Sequence, residues 1–233
     1  MKKLLSVLLA AAVVFSLTAC GDKSSAGSAA SGAATTGSIL IGGLAPLTGD
    51  AAVYGTSATN GAKLAFEEIN AAGGVLGKKI EYNCLDEKGD PTEAVNAYNN
   101  LVSQNIVALL GDVTSKPTMA DAQIAAEANM PMLSPTASVE AVTTYGENVF
   151  RVCYIDPFQG KTMASYAKDK LNAKKVAVIY NTSSDYSGGL KDAFVAQAKS
   201  LGLEVTNTEG YGANDVDFKT QLTNISKNKP DVL

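Results

Sequence analysis

The stretch Gly111-Asp112-Val113-Thr114-Ser115-Lys116-Pro117 decides the fold that this sequence predicts. It follows the short apolar run Ile106-Val107-Ala108-Leu109-Leu110, whose length and flanking turn residues indicate a buried parallel strand. After it, Ser115 is a suitable N-cap and Pro117 suits the first turn of a helix that we expect to reach about Asn129. A helix that begins where a strand ends leaves unpaired N–H groups, and these groups favour a bound carboxylate or phosphate.

A second loop of the same kind follows the next predicted strand, Pro131 to Ser134. It reads Ser134-Pro135-Thr136-Ala137-Ser138. Loops after neighbouring parallel strands meet at the carboxyl edge of the sheet, where small ligands bind in open α/β folds. Ser115 and Ser138 are therefore candidate ligand contacts, with Asp112 as a further polar group. The alternative is that both serines only cap helices.

Strand and helix signals alternate along most of the chain, which predicts an α/β fold with a doubly wound parallel sheet. Strands are predicted at 38–44, 79–85, 148–153, 175–180 and 204–209. A helix is expected to start at about Thr56, and another at Asp90-Pro91, where the aspartate suits the N-cap.

The alternation is interrupted at Tyr154 to Gly160 and then starts again. We therefore expect one α/β lobe at residues 38–154 and the start of a second lobe at residues 155–233. The chain stops at Lys229-Pro230-Asp231-Val232-Leu233, which has the pattern of a strand that has just begun. We interpret the sequence as the N-terminal part of a longer protein.

The N-terminus has the pattern of an exported bacterial protein. A charged start and an apolar run from Leu4 to Leu17 predict a signal peptide at residues 1–19, because the run is too short to span a membrane. It ends in Leu17-Thr18-Ala19-Cys20-Gly21, which resembles a bacterial lipobox and makes Cys20 the predicted lipidation site. An ordinary secretory signal with a chance cysteine is the alternative. Residues 20–37 are mostly Ser, Ala, Gly and Thr and are predicted to form a flexible tether.

Composition excludes several classes of function. The 233 residues are 46% hydrophobic and 18% charged, which suits one or two globular domains. They contain no histidine, so they cannot supply a Ser-His-Asp or Cys-His catalytic group or a His-ligated metal. We expect no enzyme activity, cofactor or metal ion. Loss of Lys2 and Lys3 with the signal peptide would leave 17 basic against 23 acidic residues, a net charge of −6, so no nucleic-acid partner is expected.

The remaining polar and aromatic candidates have plain alternatives. Three acids, Asp86, Glu87 and Asp90, share one loop and could contact a cation, but a solvated loop with a helix cap explains them better. Tyr54 and Tyr186 each follow a strand in a Gly- and Ser-rich loop, and they could line a pocket or simply pack there. Two further cysteines, Cys84 and Cys153, are predicted to be buried free thiols.

The motifs resemble, in order and spacing, the substrate-binding proteins of branched-chain amino acid ABC transporters, which have the periplasmic binding protein type I fold. The matching pieces cover nearly all of residues 38–233. They are Pro46-Leu47-Thr48-Gly49, Tyr54-Gly55, Gly61-Ala62 through Glu68-Ile69-Asn70, Gly73-Gly74-Val75-Leu76-Gly77, Asp86 to Pro91, Gly111 to Ser115, Ser134 to Ser138, Phe150-Arg151 and Asp185-Tyr186. The resemblance implies two doubly wound parallel-sheet domains with a ligand cleft between them.

The resemblance also implies roles for individual residues. Ser115 and Ser138 would hold the α-carboxylate of an amino acid by hydroxyl and backbone N–H groups. The carbonyl oxygen of Thr136 would accept a hydrogen bond from the α-ammonium, and Ala137 belongs to the same ligand-binding loop. The acidic partner of the ammonium would lie beyond Leu233.

By the same resemblance, Tyr54 and Tyr186 would line the pocket for a branched-chain or other aliphatic side chain. Some members of the family carry a disulfide between two loops at positions that here hold Gly89 and Thr114. The bridge is therefore absent and the pocket wall at Thr114 is more polar. Binders of amides, urea and aromatic acids belong to the same family and are alternatives.

The implied function is a monomeric, extracytoplasmic solute-binding lipoprotein that is anchored to the membrane through Cys20. Its partners would be the amino acid and the permease subunits of an ABC transporter. One alternative is a sensor with the same ligand-binding fold, which would carry a transmembrane segment and a signalling domain. Another is an extracytoplasmic hydrolase, which would need a base other than histidine.

Overall fold

A computed structural model of the protein describes residues 37–233. The predicted signal peptide, Cys20 and almost all of the predicted tether lie outside the described residues. Within them, strands and helices alternate, and every pair of named strands is parallel. The predicted α/β class with parallel strands is therefore confirmed. None of the helices in this part of the chain is both long enough and apolar enough to cross a membrane.

Five parallel strands form the first sheet, in the order β2-β1-β3-β4-β5. They are β1 (Ser38–Ala45), β2 (Lys79–Asp86), β3 (Ala108–Leu110), β4 (Met132–Ser134) and β5 (Val149–Arg151). Helices α1 (Ala52–Ala71), α2 (Pro91–Ser103) and α3 (Ser115–Glu127) and a 3-10 helix (Glu140–Thr144) lie between them. The strand order reverses between β1 and β3, so the loops after these two strands flank the crevice at which such sheets bind ligands.

The helices cover opposite faces of the sheet because successive strand residues point to opposite sides. On one face, a side chain at Gly42 would meet Leu101 of α2 and Ile106. On the other, Gly43 lies against Tyr82, whose ring is 5.1 Å from that of Phe66 in α1. The core of the α2 and α3 face consists of apolar side chains that are almost fully buried: Leu44, Tyr98, Leu101, Ile106, Leu109, Ala122, Ala125, Met132, Ala137, Val142 and Val149.

The second sheet has two named strands, β6 (Lys175–Asn181) and β7 (Glu204–Tyr211), with helices α4 (Asp156–Asp169), α5 (Asp185–Ser200) and α6 (Lys219–Lys227). It has its own small core of Ala164, Ala167, Ala173, Val176, Ala198 and Leu203. Val232 forms an isolated parallel bridge with Val176. The division into lobes after residue 154 stays a prediction.

Two helices begin earlier than the sequence predicts. Helix α1 starts at Ala52 instead of Thr56, because its N-cap, Ala51, has no side chain that could mark the position. Gly55 lets this first turn approach the preceding loop, since a Cβ atom there would lie 2.0 Å from the Pro46 carbonyl oxygen. Helix α5 starts at Asp185, so Tyr186, like Tyr54, is in a first helical turn and not in a loop.

Candidate functional site

The N-terminus of α3 lies at the carboxyl end of β3, as predicted, but its cap is shifted by one residue. The N-cap is Thr114, which has an extended backbone and makes no side-chain capping bond, and Ser115 is the first helical residue. The prediction of Ser115 as N-cap is therefore wrong. Pro117 lies in the first turn, as predicted, and has no N–H of its own.

Ser115 instead forms a hydrogen bond that connects the two loops. It is only 7% exposed, and its Oγ accepts a hydrogen bond from the N–H of Val139 at 3.4 Å. A serine hydroxyl both donates and accepts, so this bond leaves the Ser115 hydroxyl hydrogen available. The Ser115 side chain is thus held at the helix N-terminus, and its hydroxyl hydrogen can still donate a hydrogen bond to a carboxylate.

Two side-chain bonds join the loop after β4 to the loop after β3. Ser134 Oγ donates to the carbonyl oxygen of Asp112 at 2.6 Å and accepts from the N–H of Ala137 at 3.1 Å. Thr136 Oγ1 donates to the carbonyl oxygen of Val113 at 2.5 Å. The structure therefore brings Ser115, Thr136 and the residues that follow them into one connected unit at the edge of the sheet.

Ser138 is also buried. It is 6% exposed, and its carbonyl oxygen accepts a hydrogen bond from the N–H of Asp156 at 3.0 Å, at the start of α4. Asp156 is itself buried. Burial raises the pKa of its carboxyl, and the Ser138 side chain and the positive charge of Arg151 act in the opposite direction. Ser138 is thus held by the first residue of α4.

Several polar groups of these loops make no hydrogen bond to any described residue. They are the hydroxyl hydrogen of Ser115, the backbone N–H of Ser138 and the carbonyl oxygen of Thr136. Two of them are donors and one is an acceptor. A zwitterion needs this combination, with donors for its carboxylate and an acceptor for its ammonium.

The two candidate tyrosines are in a different environment. Tyr54 is 67% exposed, whereas Tyr186 is 40% exposed and its hydroxyl accepts a hydrogen bond from Gln159 Nε2 at 3.4 Å. Tyr186 lies one turn before Gly189, at which a Cβ atom would be 3.3 Å from the Asp156 carboxylate. The helix that carries Tyr186 therefore lies against Asp156, whose N–H binds the carbonyl oxygen of Ser138. No contact in the described residues connects Tyr54 to either serine.

The Asp112 side chain does not take part in the loop surface. It is completely buried, and burial together with the carboxyl groups of Asp121 and Glu87 raises its pKa well above the ordinary value. Among the described residues, neither of its carboxyl oxygens has a hydrogen-bond partner. Its interpretation as a polar group for the ligand is therefore not supported. The acids of this part of the chain are not grouped so that they could hold a metal ion.

The acidic loop after β2 is only partly solvated. Asp86 accepts hydrogen bonds from the Leu47 N–H and the Thr48 hydroxyl, and Asp90 caps α2 by accepting from two first-turn N–H groups. Glu87, however, is completely buried, and burial raises its pKa to about 7. Sequence reasoning missed this burial, because its polar neighbours look like those of a surface loop.

The two cysteines of the described region, Cys84 and Cys153, are free and half-buried. The Sγ atom of Cys84 is 3.5 Å from the hydroxyl of Thr59 in α1. An apolar cavity of about 130 Å³ lies between α1 and the sheet and is lined in part by Thr59, Tyr82 and Val113. It contains none of the six predicted ligand contacts.

Comparison with known proteins identifies the family. The family described as periplasmic binding protein matches residues 38–233. The Leu/Ile/Val-binding protein BraC3 of Rhizobium johnstonii is 36% identical over 84% of this chain and 53% of its own length.

Two solved structures are similar in both sequence and fold. The branched-chain amino acid transporter substrate binding protein LivJ from Streptococcus pneumoniae, in complex with isoleucine, is 37% identical with a TM-score of 0.79 over 84% of this chain and 56% of LivJ. The leucine binding protein LivK from Thermotoga maritima is 35% identical with a TM-score of 0.78 over 83% of this chain and 55% of LivK. The chain thus spans about half the length of these relatives. It belongs to the periplasmic binding protein family and has the type I α/β fold of these structures.

Proposed function

We propose that this protein is an extracytoplasmic solute-binding lipoprotein that captures a branched-chain or other aliphatic amino acid and delivers it to an ABC transporter permease. The observation that carries the proposal is the pair of buried serines on connected loops at the carboxyl edge of the first sheet. The names of the similar proteins, which refer to leucine, isoleucine, valine or branched-chain amino acids, support this class of ligand.

The carboxylate of the ligand would occupy the N-terminus of α3. Its charge is favoured there by the helix dipole and by the first-turn N–H groups, which no side chain caps. The hydroxyl groups of Ser115 and Ser138 and the backbone N–H of Ser138 would donate to it. The carbonyl oxygen of Thr136 would accept from the ammonium, and Ala137 would form the wall between them.

The side chain of the ligand would lie toward Tyr54 and Tyr186. Both are in first helical turns that follow strands, one in each sheet region, so a cleft between two lobes would bring them to opposite sides of the ligand. Each lobe would contribute to the cleft, with the boundary after residue 154. The acidic partner of the ammonium would be supplied by sequence beyond Leu233.

Isothermal titration calorimetry on the encoded protein, that is, the full-length product of its gene, tests the proposal. The protein would be purified free of ligand. L-leucine, L-isoleucine, L-valine and L-alanine would be titrated together with acetamide, urea and benzoate. At least one aliphatic amino acid should bind with a dissociation constant of about 1 μM or tighter, which corresponds to about −8 kcal/mol. Binding of urea, an amide or benzoate, without binding of any amino acid, would overturn the assignment of the ligand.

The membrane anchor rests on the lipobox-like residues that end at Cys20. A single acyl chain binds membranes only weakly, so a stable anchor requires more than one chain on this cysteine. Mass spectrometry of the mature N-terminus should show a lipid-modified Cys20 as the first residue. An unmodified N-terminus at another residue would contradict the anchor without affecting the ligand assignment.

A further inference from the structure

We infer that Arg151 is a positioning residue for the proposed ligand site, because its guanidinium holds the loop that carries Ser138. The inference rests on the proposed function. Arg151 is the last residue of β5 and pairs in register with Ser134 of β4, the residue at which this loop begins.

The guanidinium of Arg151 makes four hydrogen bonds, all to this loop and the 3-10 helix that follows it. Nη1 donates to the carbonyl oxygens of Ala137, at 3.4 Å, and Val139. Nη2 donates to the carbonyl oxygen of Glu140 at 2.8 Å and to the Thr143 hydroxyl at 3.0 Å. Arginine presents its donors in a rigid planar fork, so these four acceptors are fixed relative to one another.

Arg151 does not bind the carbonyl oxygen of Ser138, which lies between its acceptors, but a residue shortly after Arg151 does. The carbonyl oxygen of Ser138 accepts a hydrogen bond from the N–H of Asp156, five residues after Arg151. Four consecutive carbonyl oxygens, those of residues 137–140, are therefore used by groups at positions 151 and 156. These four carbonyl oxygens are therefore already hydrogen-bonded within the protein. The N–H of Ser138 is not bonded to any described residue, and the loop can offer it to the ligand.

The charge of Arg151 acts in the same direction. Within residues 37–233 it forms no salt bridge, and all four of its hydrogen bonds go to neutral oxygen atoms. Its positive charge therefore contributes to the potential beneath the loop. The nearby acid that interacts with it is Asp156, which is buried. An anionic group of the ligand is favoured at such a place.

Substitution of Arg151 by methionine and by lysine separates these contributions from general stability. Methionine removes the charge and all four bonds, whereas lysine keeps the charge but cannot reproduce the fork. The matched control is Asn148→Ala, because Asn148 Nδ2 donates to the carbonyl oxygens of Ala125 at 2.9 Å and Met130 at 2.7 Å, beside β5 but away from the loop. Each variant of the encoded protein would be titrated with L-isoleucine, its melting temperature measured and its amide hydrogen exchange recorded.

Arg151→Met should weaken the binding of L-isoleucine by about tenfold or more, because the loop that offers the Ser138 N–H is then no longer held by these four bonds. Arg151→Lys should lie between wild type and Arg151→Met. The amide of Val139, which donates to Ser115 Oγ, should exchange faster in Arg151→Met. Asn148→Ala should lower the melting temperature but leave affinity within about twofold of wild type, since a buried bond remote from the ligand affects folding alone.

Two results would overturn the positioning role. One is an affinity of Arg151→Met that equals wild type. The other is an Asn148→Ala variant that loses as much affinity as Arg151→Met at the same loss of melting temperature. If the wild-type protein binds no amino acid, the proposed function fails. Unchanged exchange of the Val139 amide in Arg151→Met would then separately refute the role of Arg151 in holding the loop.

Discussion

The serine side and the tyrosine side of the proposed site are built differently. Ser115, the first residue of α3, and Ser138, in the loop after β4, are 7% and 6% exposed, and hydrogen bonds connect the segments that carry them. Tyr54 and Tyr186 are 67% and 40% exposed and lie on helices. A preorganised side binds with little loss of conformational freedom. We therefore expect the serine side to recognise what all amino acids share, and the tyrosine side to respond to the side chain.

The largest effect should come from removing both serine hydroxyls. Each of Ser115→Ala and Ser138→Ala should lose about 1.5–3 kcal/mol of binding to L-isoleucine, because a hydrogen bond to a charged group is lost. The double variant should then bind on the order of a hundredfold more weakly, or worse. Calorimetry would measure the affinities and thermal unfolding would measure stability. A double variant that binds as well as wild type but melts earlier would reduce both serines to structural roles.

Removal of the tyrosine rings should have a smaller effect that depends on the ligand. Tyr54→Ala and Tyr186→Ala should each weaken L-isoleucine by about tenfold or less, since an exposed ring buries only part of its area on binding. L-alanine should be affected less than L-isoleucine. Tyr145→Ala is the control, because Tyr145 is also 40% exposed but follows the 3-10 helix. Equal losses for both ligands would mean that the tyrosines do not contact the side chain.

The buried carboxyl groups of Glu87 and Asp121 should make the stability of the protein depend on pH. Burial raises the pKa of Glu87 from 4.5 to about 7 and raises that of Asp121 as well. The folded state therefore holds protons that the unfolded state releases, and this stabilisation is lost as pH rises from about 4.5 to 7. The slope is at most about 1.4 kcal/mol per pH unit for each proton.

The measurement for this pH dependence is the melting temperature between pH 5 and pH 8. Glu87→Gln should flatten the profile, because an amide cannot release a proton over this range. Asp50→Asn is the control, since Asp50 lies in an exposed turn. A wild-type melting temperature that rises from pH 5 to pH 8 would show that Glu87 is not buried in its neutral form.

The smallest effects concern the two helix caps. Asp90→Ala should destabilise the protein by about 1 kcal/mol, because its carboxylate accepts from the N–H groups of Thr92 at 2.8 Å and Glu93 at 3.0 Å. Thr114→Ala should change stability by less than about 0.5 kcal/mol, since its side chain makes no capping bond. Chemical denaturation would compare the two. An equal cost at both positions would place a capping bond at Thr114.

The same two caps show how far local sequence determines this structure. Asp90 is followed by Pro91, and both signals agree with the fold, so this helix was predicted at its observed start. Thr114 and Ser115 are both acceptable caps by type. The choice between them depends on the bond from Val139 N–H to Ser115, which comes from a loop 24 residues later. A local pattern contains no information on such a contact.

Burial of polar groups was the least predictable feature of the site. Glu87 lies between Asp86 and Lys88, a setting typical of a solvated loop, yet it is completely buried. The role of Arg151 was equally hidden, because its four acceptors are backbone and hydroxyl oxygens that any sequence could supply. By contrast, the position of the two loops followed from strand and helix alternation alone, since parallel strands end at one edge.

The most direct test of the account compares one ligand with and without its negative charge. The affinity of the wild-type encoded protein would be measured for L-isoleucine and for L-isoleucinamide, which differ only at the carboxylate. We expect the amide to bind at least about tenfold more weakly, because the α3 N-terminus and the Ser115 and Ser138 donors would face a neutral group. Equal affinity for the two compounds would contradict a carboxylate site at these loops.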